Sequence, residues 1–199
     1  IFMAPVPRGR WSEELDATTP GATPQRGSIF DDPAIPEPSV PGEDVLNLNV
    51  FTPVPEEESA NLPVYVWIHG GGWVSGSHNS PWYDGAAFNR DGVVTVSVAY
   101  RLGFDGYGWV DGSDAPYNRA VLDQVTALEW VRDNIAAFGG NPDDVTVGGQ
   151  SAGGGSSLVL MSVPRARALF HRVISESGAV PDQPAEVTRE RSVALAEVL

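Results

Sequence analysis

The chain has 199 residues, 42% of them hydrophobic and 19% charged, which suits one domain with a sizeable core and excludes wholesale disorder or two full domains. No stretch approaches the roughly 20 apolar residues that span a bilayer, and the absence of cysteine excludes disulfides, thiolate metal sites and a cysteine nucleophile. The formal net charge is −14 with all 12 basic residues Arg, an acidic surface that repels phosphate backbones and argues against nucleic acid as a partner.

Ile1–Arg10 lacks both a signal-peptide layout and an initiator Met, so the first residues of the gene product are expected to be missing. The compartment is left open, with the cytoplasm favoured. Residues 1–44 carry eight prolines and no sustained period. Proline fixes φ and removes a donor, so neither helix nor central strand is expected there. An ordered surface wrap is expected instead, anchored by Trp11, Ile29 and Phe30. Val45–Phe51 alternates apolar and polar residues, the pattern of a strand with one wet face. Glu56–Asn61 reads as an acidic turn. Leu62–Ile68 and Val93–Ala99 are nearly continuous apolar runs, as in strands buried on both faces.

In Tyr117–Phe138 apolar residues recur at helical spacing, Asn118 is a suitable N-cap, and Gly139-Gly140 ends the run. Val145–Val147 predicts a short strand and Ser151 to about Met161 a helix, ended by Pro164. Arg172–Ser175 predicts one more short strand, and Val187–Leu199 a helix that runs off the end. Strands alternating with helices predict an α/β fold: a mostly parallel sheet with helices on both faces. In such sheets the chemistry lies beyond the carboxyl ends of the strands. Both glycine clusters, Gly70–Gly72 and Gly148–Gly155, fall there.

Gly149-Gln150-Ser151-Ala152-Gly153 matches G-x-S-x-G. In a nucleophile elbow the Ser occupies a strained turn between strand and helix, and its flanking positions must be small because the backbone packs on itself. An apolar strand precedes this Ser and a helical segment follows it. A glycine-rich turn opening a helix, or a phosphate cradle, are the alternatives, although a Walker loop needs a Lys and the chain has none. His69-Gly70-Gly71-Gly72-Trp73 closes the Leu62–Ile68 run. Acyl transfer develops negative charge on a carbonyl oxygen, and backbone N–H groups of such a loop can stabilise it. An ordinary tight turn after a strand is the plainer reading of the same residues.

With these two clusters in this order the chain resembles the type-B carboxylesterases, the group of the bacterial para-nitrobenzyl esterases and the cholinesterases. Glu43-Asp44-Val45-Leu46-Asn47-Leu48-Asn49-Val50 resembles that family's E-D-C-L-x-L-N-V segment, and Tyr100-Arg101-Leu102-Gly103 its N-Y-R-L-G. Asn118 with Leu122-Asp123-Gln124 resembles the start of one of its helices. Phe138-Gly139-Gly140-Asn141-Pro142 leading into Val145-Thr146-Val147 resembles F-G-G-D-P-x-x-V-T. Ser175-Glu176-Ser177-Gly178 resembles [LIV]-x-Q-S-G. The resemblance implies an α/β-hydrolase fold and a serine esterase that uses no cofactor and no metal. It implies Ser151 as nucleophile and Gly71, Gly72 and Ala152 as oxyanion donors. Trp73 then lines the acyl site, His69 braces the glycine loop, and Ser177 is the Ser that supports the catalytic acid.

The chain departs from the family pattern at three points. Val45 replaces a frequent disulfide Cys. Gln150 stands where many members have Glu, which removes a negative charge beside the nucleophile. The family's catalytic acid and His lie far downstream of the Ser, outside these residues. Residues 1–199 are therefore expected to be the nucleophile-bearing N-terminal portion of a single α/β-hydrolase domain, incomplete at its C-terminal side, with the wrap at 1–44 and sheet and helices at 45–199. The expected partners are a small-molecule ester and the remaining C-terminal part of the same protein, in the same or a separate chain, with no nucleic acid and no membrane. As stand-in bases the histidines fare poorly: His69 is tied to the glycine loop, His78 reads as a solvated loop residue, and His171 as a surface residue. Glu176 and Asp123 are assigned to structure. Two other functions are carried beside the esterase: an esterase like the hormone-sensitive lipases, and a non-catalytic adhesion or binding relative, which characteristically lacks the nucleophile.

Overall fold

A computed structural model describes residues 1–198 other than 10, 11, 14, 26, 29, 56–59 and 181. Among the described residues five strands form one sheet: β1 (Leu48–Phe51), β2 (Leu62–Ile68), β3 (Val94–Val98), β4 (Gly140–Gln150) and β5 (Arg172–Glu176). Their spatial order is β1-β3-β2-β4-β5. Only β1 runs antiparallel to its neighbour, so the sheet is mostly parallel, as the pattern predicts.

Among the described residues five α-helices accompany the strands: α1 (Ala86–Arg90), α2 (Gly103–Tyr107), α3 (Arg119–Asn134), α4 (Ala152–Leu160) and α5 (Ala185–Ala196). Side chains alternate along β2, which sends Val64, Val66 and Ile68 to one face and Tyr65 and Trp67 to the other. The valine face packs with Val125, Leu128 and Val131 of α3, with Ile135 just beyond it, and with Leu160 of α4. Each such side chain contributes about 1.5–3 kcal/mol when fully buried. On the opposite face Phe88 of α1 meets Tyr65 at 5.0 Å and Tyr83 meets Trp67 at 5.3 Å between ring centroids.

Several boundaries differ from the sequence reading. β4 begins at Gly140, five residues before the apolar Val145, because Gly140 already pairs with Leu62; residues 141–144 form an irregularity in the register before Val145 pairs with Val64. Asn118 does sit at the N-cap of α3, but in a left-handed conformation (φ 53°) with no side-chain cap hydrogen bond. α3 tightens into a 3₁₀ turn at Ile135–Phe138 before Gly139 stops it. α5 starts at Ala185 and ends at Ala196, so it does not run off the end as expected.

The wrap has no helix or strand among its described residues, as its prolines dictate. Trp11, Ile29 and most of the acidic turn lie outside the described residues. Phe30 is 62% exposed and so anchors nothing. Polar groups hold the wrap instead. Asn47 Nδ2 donates to the carbonyl of Ala22 at 2.8 Å, and Asn79 Nδ2 to that of Gly21 at 2.9 Å. The guanidinium of Arg101 reaches the carbonyls of Ile1 and Met3 at 2.5 and 2.7 Å.

Candidate active site

The chain runs from β2 to β3 on one side, then crosses to β4 on the other side of β2. A parallel sheet opens a crevice at such a reversal, outside the carboxyl ends of the two diverging strands. Here those ends are Ile68, followed by the glycine loop, and Gln150, followed by Ser151.

Ser151 has φ 56° and ψ −119°, a conformation a residue with a Cβ rarely adopts. The strained turn between strand and helix is therefore present. Its flanks show why only glycine fits them. A Cβ on Gly153 would overlap the carbonyl of Ile68, and one on Gly149 would lie 2.6 Å from the carbonyl carbon of Gly153. The turn is fastened at its back by the Ser151 N–H, which donates to the carbonyl of Glu176 at 2.8 Å. Ala152, 2% exposed, opens α4, so its N–H is one of the amides a helix start leaves without an internal partner. The positive end of the helix dipole lies there as well.

The glycine loop touches this turn. A Cβ on Gly70 would sit 2.8 Å from the carbonyl oxygen of Gln150 and 3.4 Å from Cβ of Ser151. The loop is wound tightly: the carbonyl of Gly71 accepts the N–H groups of Val74 and Ser75 at 3.1 and 3.0 Å. Gly71 and Gly72 have φ of 111° and 62°. Among the described residues their own N–H groups donate to no backbone carbonyl.

His69 is 1% exposed beneath this loop. Its Nδ1–H donates to the carbonyl of Gly70 at 2.8 Å, which leaves Nε2 bare and unpartnered. Burial pulls its pKa down to about 4 against that hydrogen bond, so it is a neutral imidazole at neutral pH. Tyr100 stacks on the ring at 4.5 Å and donates its hydroxyl to the carbonyl of His69 at 2.7 Å. Sequence reading quoted Tyr100 within a motif but gave it no role, although it directly follows the buried β3 run beside β2. Trp73, at φ 63°, packs its ring over Gly155 and donates Nε1–H to Ser156 Oγ at 3.2 Å. Gln150 is half-buried at the end of β4, and Ser177 is exposed at φ 53° just past β5.

Two histidines are placed away from this turn. His171 is exposed at the start of β5, the end opposite Glu176, where its Nδ1 accepts the N–H of Val145 at 3.2 Å. His78 corrects the sequence reading: it is 1% exposed, not solvated. Its Nε2–H donates to Asn47 Oδ1 at 2.7 Å, and burial, then nearby His69, lowers its pKa to about 3. Asp123 is structural as expected, in a buried pair with Arg101 at 2.6 Å. The described residues contain no cluster of three His, Asp or Glu placed to hold a metal ion.

A family model described as "Carboxylesterase family" matches residues 2–197. The chain is 42% identical over its whole length to a para-nitrobenzyl esterase of Bacillus subtilis (strain 168), covering 41% of that protein. Over 68% of its length it is 53% identical to the medium-chain fatty acyl-CoA hydrolase precursor of Anas platyrhynchos, covering 24% of it. The chain thus spans less than half of the relatives it matches. A thermophilic para-nitrobenzyl esterase structure superposes on 99% of the chain with a TM-score of 0.89 at 41% identity, again over 41% of that molecule. The sheet and its helices are those of the α/β-hydrolases. With the match running from residue 2 to residue 197, the chain belongs to the carboxylesterase family.

Proposed function

We propose that the chain is the nucleophile-bearing part of a serine carboxylesterase, residues 1–199 forming the N-terminal portion of one α/β-hydrolase domain. Ser151 Oγ attacks the ester carbonyl and passes its proton to a His supplied by sequence outside this chain. The N–H groups of Gly71, Gly72 and Ala152 hold the oxyanion. The tetrahedral adduct collapses to an acyl ester on Ser151 while the His protonates the departing alcohol. Water, deprotonated by the same His, then releases the acid. The catalytic acid that orients the His also comes from outside these residues, and Ser177 supports it. Trp73 lines the acyl site and His69 braces the glycine loop. Small carboxylic esters are the substrate class.

The observation that supports this reading most is the contact of the glycine loop with the strained turn: Ser151 at φ 56°, with Gly70 packed against its Cβ. That contact supports a crevice shared by the Ser151 hydroxyl and the amides of Gly71 and Gly72. It also weighs against a non-catalytic relative, because strain of about 1–3 kcal/mol at Ser151 persists only where the surroundings enforce it.

A fluorophosphonate probe tests the reading on the full-length protein. Labelling is expected on Ser151 and is lost in Ser151→Ala together with para-nitrophenyl ester hydrolysis. Labelling or turnover that survives Ser151→Ala overturns the proposal.

A further inference from the structure

We propose that Glu176 holds the negative charge beside the nucleophile, as a positioning residue for the base that serves Ser151, in place of the neutral Gln150. The assignment rests on the serine-esterase reading above. It also replaces the purely structural role given to Glu176 from sequence.

β4 and β5 are parallel, and Gln150 and Glu176 are partners in register. Their side chains therefore share a face, about 4.8 Å apart at the backbone. The carbonyl of Glu176 accepts the N–H of Ser151 at 2.8 Å, so any shift of Glu176 is felt at the nucleophile. Many members of the family have Glu where Gln150 stands, and the family's [LIV]-x-Q-S-G segment has Gln where Glu176 stands. This chain has the reverse at two adjoining positions. One carboxylate is kept, moved across a single strand spacing.

Glu176 is exposed and joins no ion pair among the described residues. Arg172, the cation on the same strand, is engaged with Asp144. α4 carries no titratable side chain. His69 of the glycine loop is buried and neutral. From β2, Tyr65 faces Glu176 across Gly148, where a Cβ would overlap the phenol oxygen. Burial, then the Glu176 charge, pushes that phenol to about 12, so Tyr65 is neutral in the working range.

A base that takes the Ser151 proton must lie within hydrogen-bond reach of Oγ, hence within about 10 Å of the Glu176 carboxylate. An anion there favours the imidazolium formed during acylation.

The test is the pH profile of kcat/KM for para-nitrophenyl acetate in the full-length protein. Glu176→Gln is expected to lower the midpoint of the acid limb by about 0.5–1 pH unit, with kcat reduced more than KM is changed. Adding Gln150→Glu to that variant is expected to return the midpoint, and Glu176→Asp to retain it. An unmoved midpoint in Glu176→Gln, or a double variant that fails to restore it, overturns the assignment. If Ser151 is still labelled by a fluorophosphonate in Glu176→Gln, that failure leaves the esterase reading standing. Labelling that ignores Ser151→Ala overturns both.

Discussion

His69 and His78 are each 1% exposed, and burial holds both rings neutral, with pKa values near 4 and 3 against 6.5 in an open chain. Below pH 6.5 the unfolded chain binds protons that the folded chain does not. Stability is therefore full above that value and is lost as pH falls, by up to about 1.4 kcal/mol per pH unit for each ring. The loss levels off below the folded-state values. Urea midpoints between pH 7 and 4 should fall along this slope, and His78→Asn should flatten it. A slope unchanged in His78→Asn would contradict the burial argument. His78 was illegible in the sequence because Ser77 and Asn79 beside it read as solvated. In the fold Ser77 is buried as well, His78 is met by Asn47 and Asn49, and Asn79 by Asn49 and by Gly21 of the wrap. Ser151 was legible for the opposite reason. A backbone that folds onto Ile68 admits only glycine at 153, so the geometry writes itself into the residue types.

Among the elements, α3 was readable because Val125, Leu128 and Val131 repeat at helical spacing against the sheet. α1 and α2 were not: each has five residues, too few to show a period. The order of strands was also beyond the sequence, because the reversal at β2 and β4 is a property of connections rather than of any one run. α3 carries two arginine–aspartate pairings of contrasting worth. Arg101 and Asp123, whose side chains are 6% and 1% exposed, are joined by two hydrogen bonds of 2.6 and 2.8 Å. Asp123 also accepts the N–H of Arg101 at 3.0 Å. Arg132 and Asp133 are 51% and 57% exposed. Asp123→Ala strands a buried guanidinium and is expected to cost about 3–5 kcal/mol. Asp133→Ala is expected to change stability by less than about 1 kcal/mol. Equal unfolding midpoints for the two variants would refute the contrast.

For the molecule as a whole, two features oppose each other. β5 is the open edge of the sheet, with Ile174 46% exposed on it and Met161, in the turn after α4, 65% exposed nearby. Unpaired strand groups beside apolar side chains favour association. The net charge of −14 resists it, and salt screens that resistance within about 10 Å at 0.1 M. The 199 residues expressed alone are expected to associate, more so in 0.5 M than in 0.02 M sodium chloride. They are also expected to be nearly inactive on para-nitrophenyl esters, because a nucleophile without its base keeps only a small residual rate. Light scattering and a Ser151→Ala control check both points. A monodisperse fragment with full Ser151-dependent turnover would mean that a base within these residues completes the site.

The hook formed by Arg101 on the carbonyls of Ile1 and Met3 carries a consequence for synthesis. Residues that leave the ribosome early in this stretch have their partners about a hundred positions later, at Arg101, Ser113 and Asp114. At about 5–20 residues per second, the opening segment waits roughly 5–25 s before the groups that hold it exist. Throughout that interval Phe2, which ends up edge-on against Phe104, has no ring to meet. The first stretch of the wrap is thus among the first parts of these residues to be made, yet it can dock only after β1, β2 and β3 have been made.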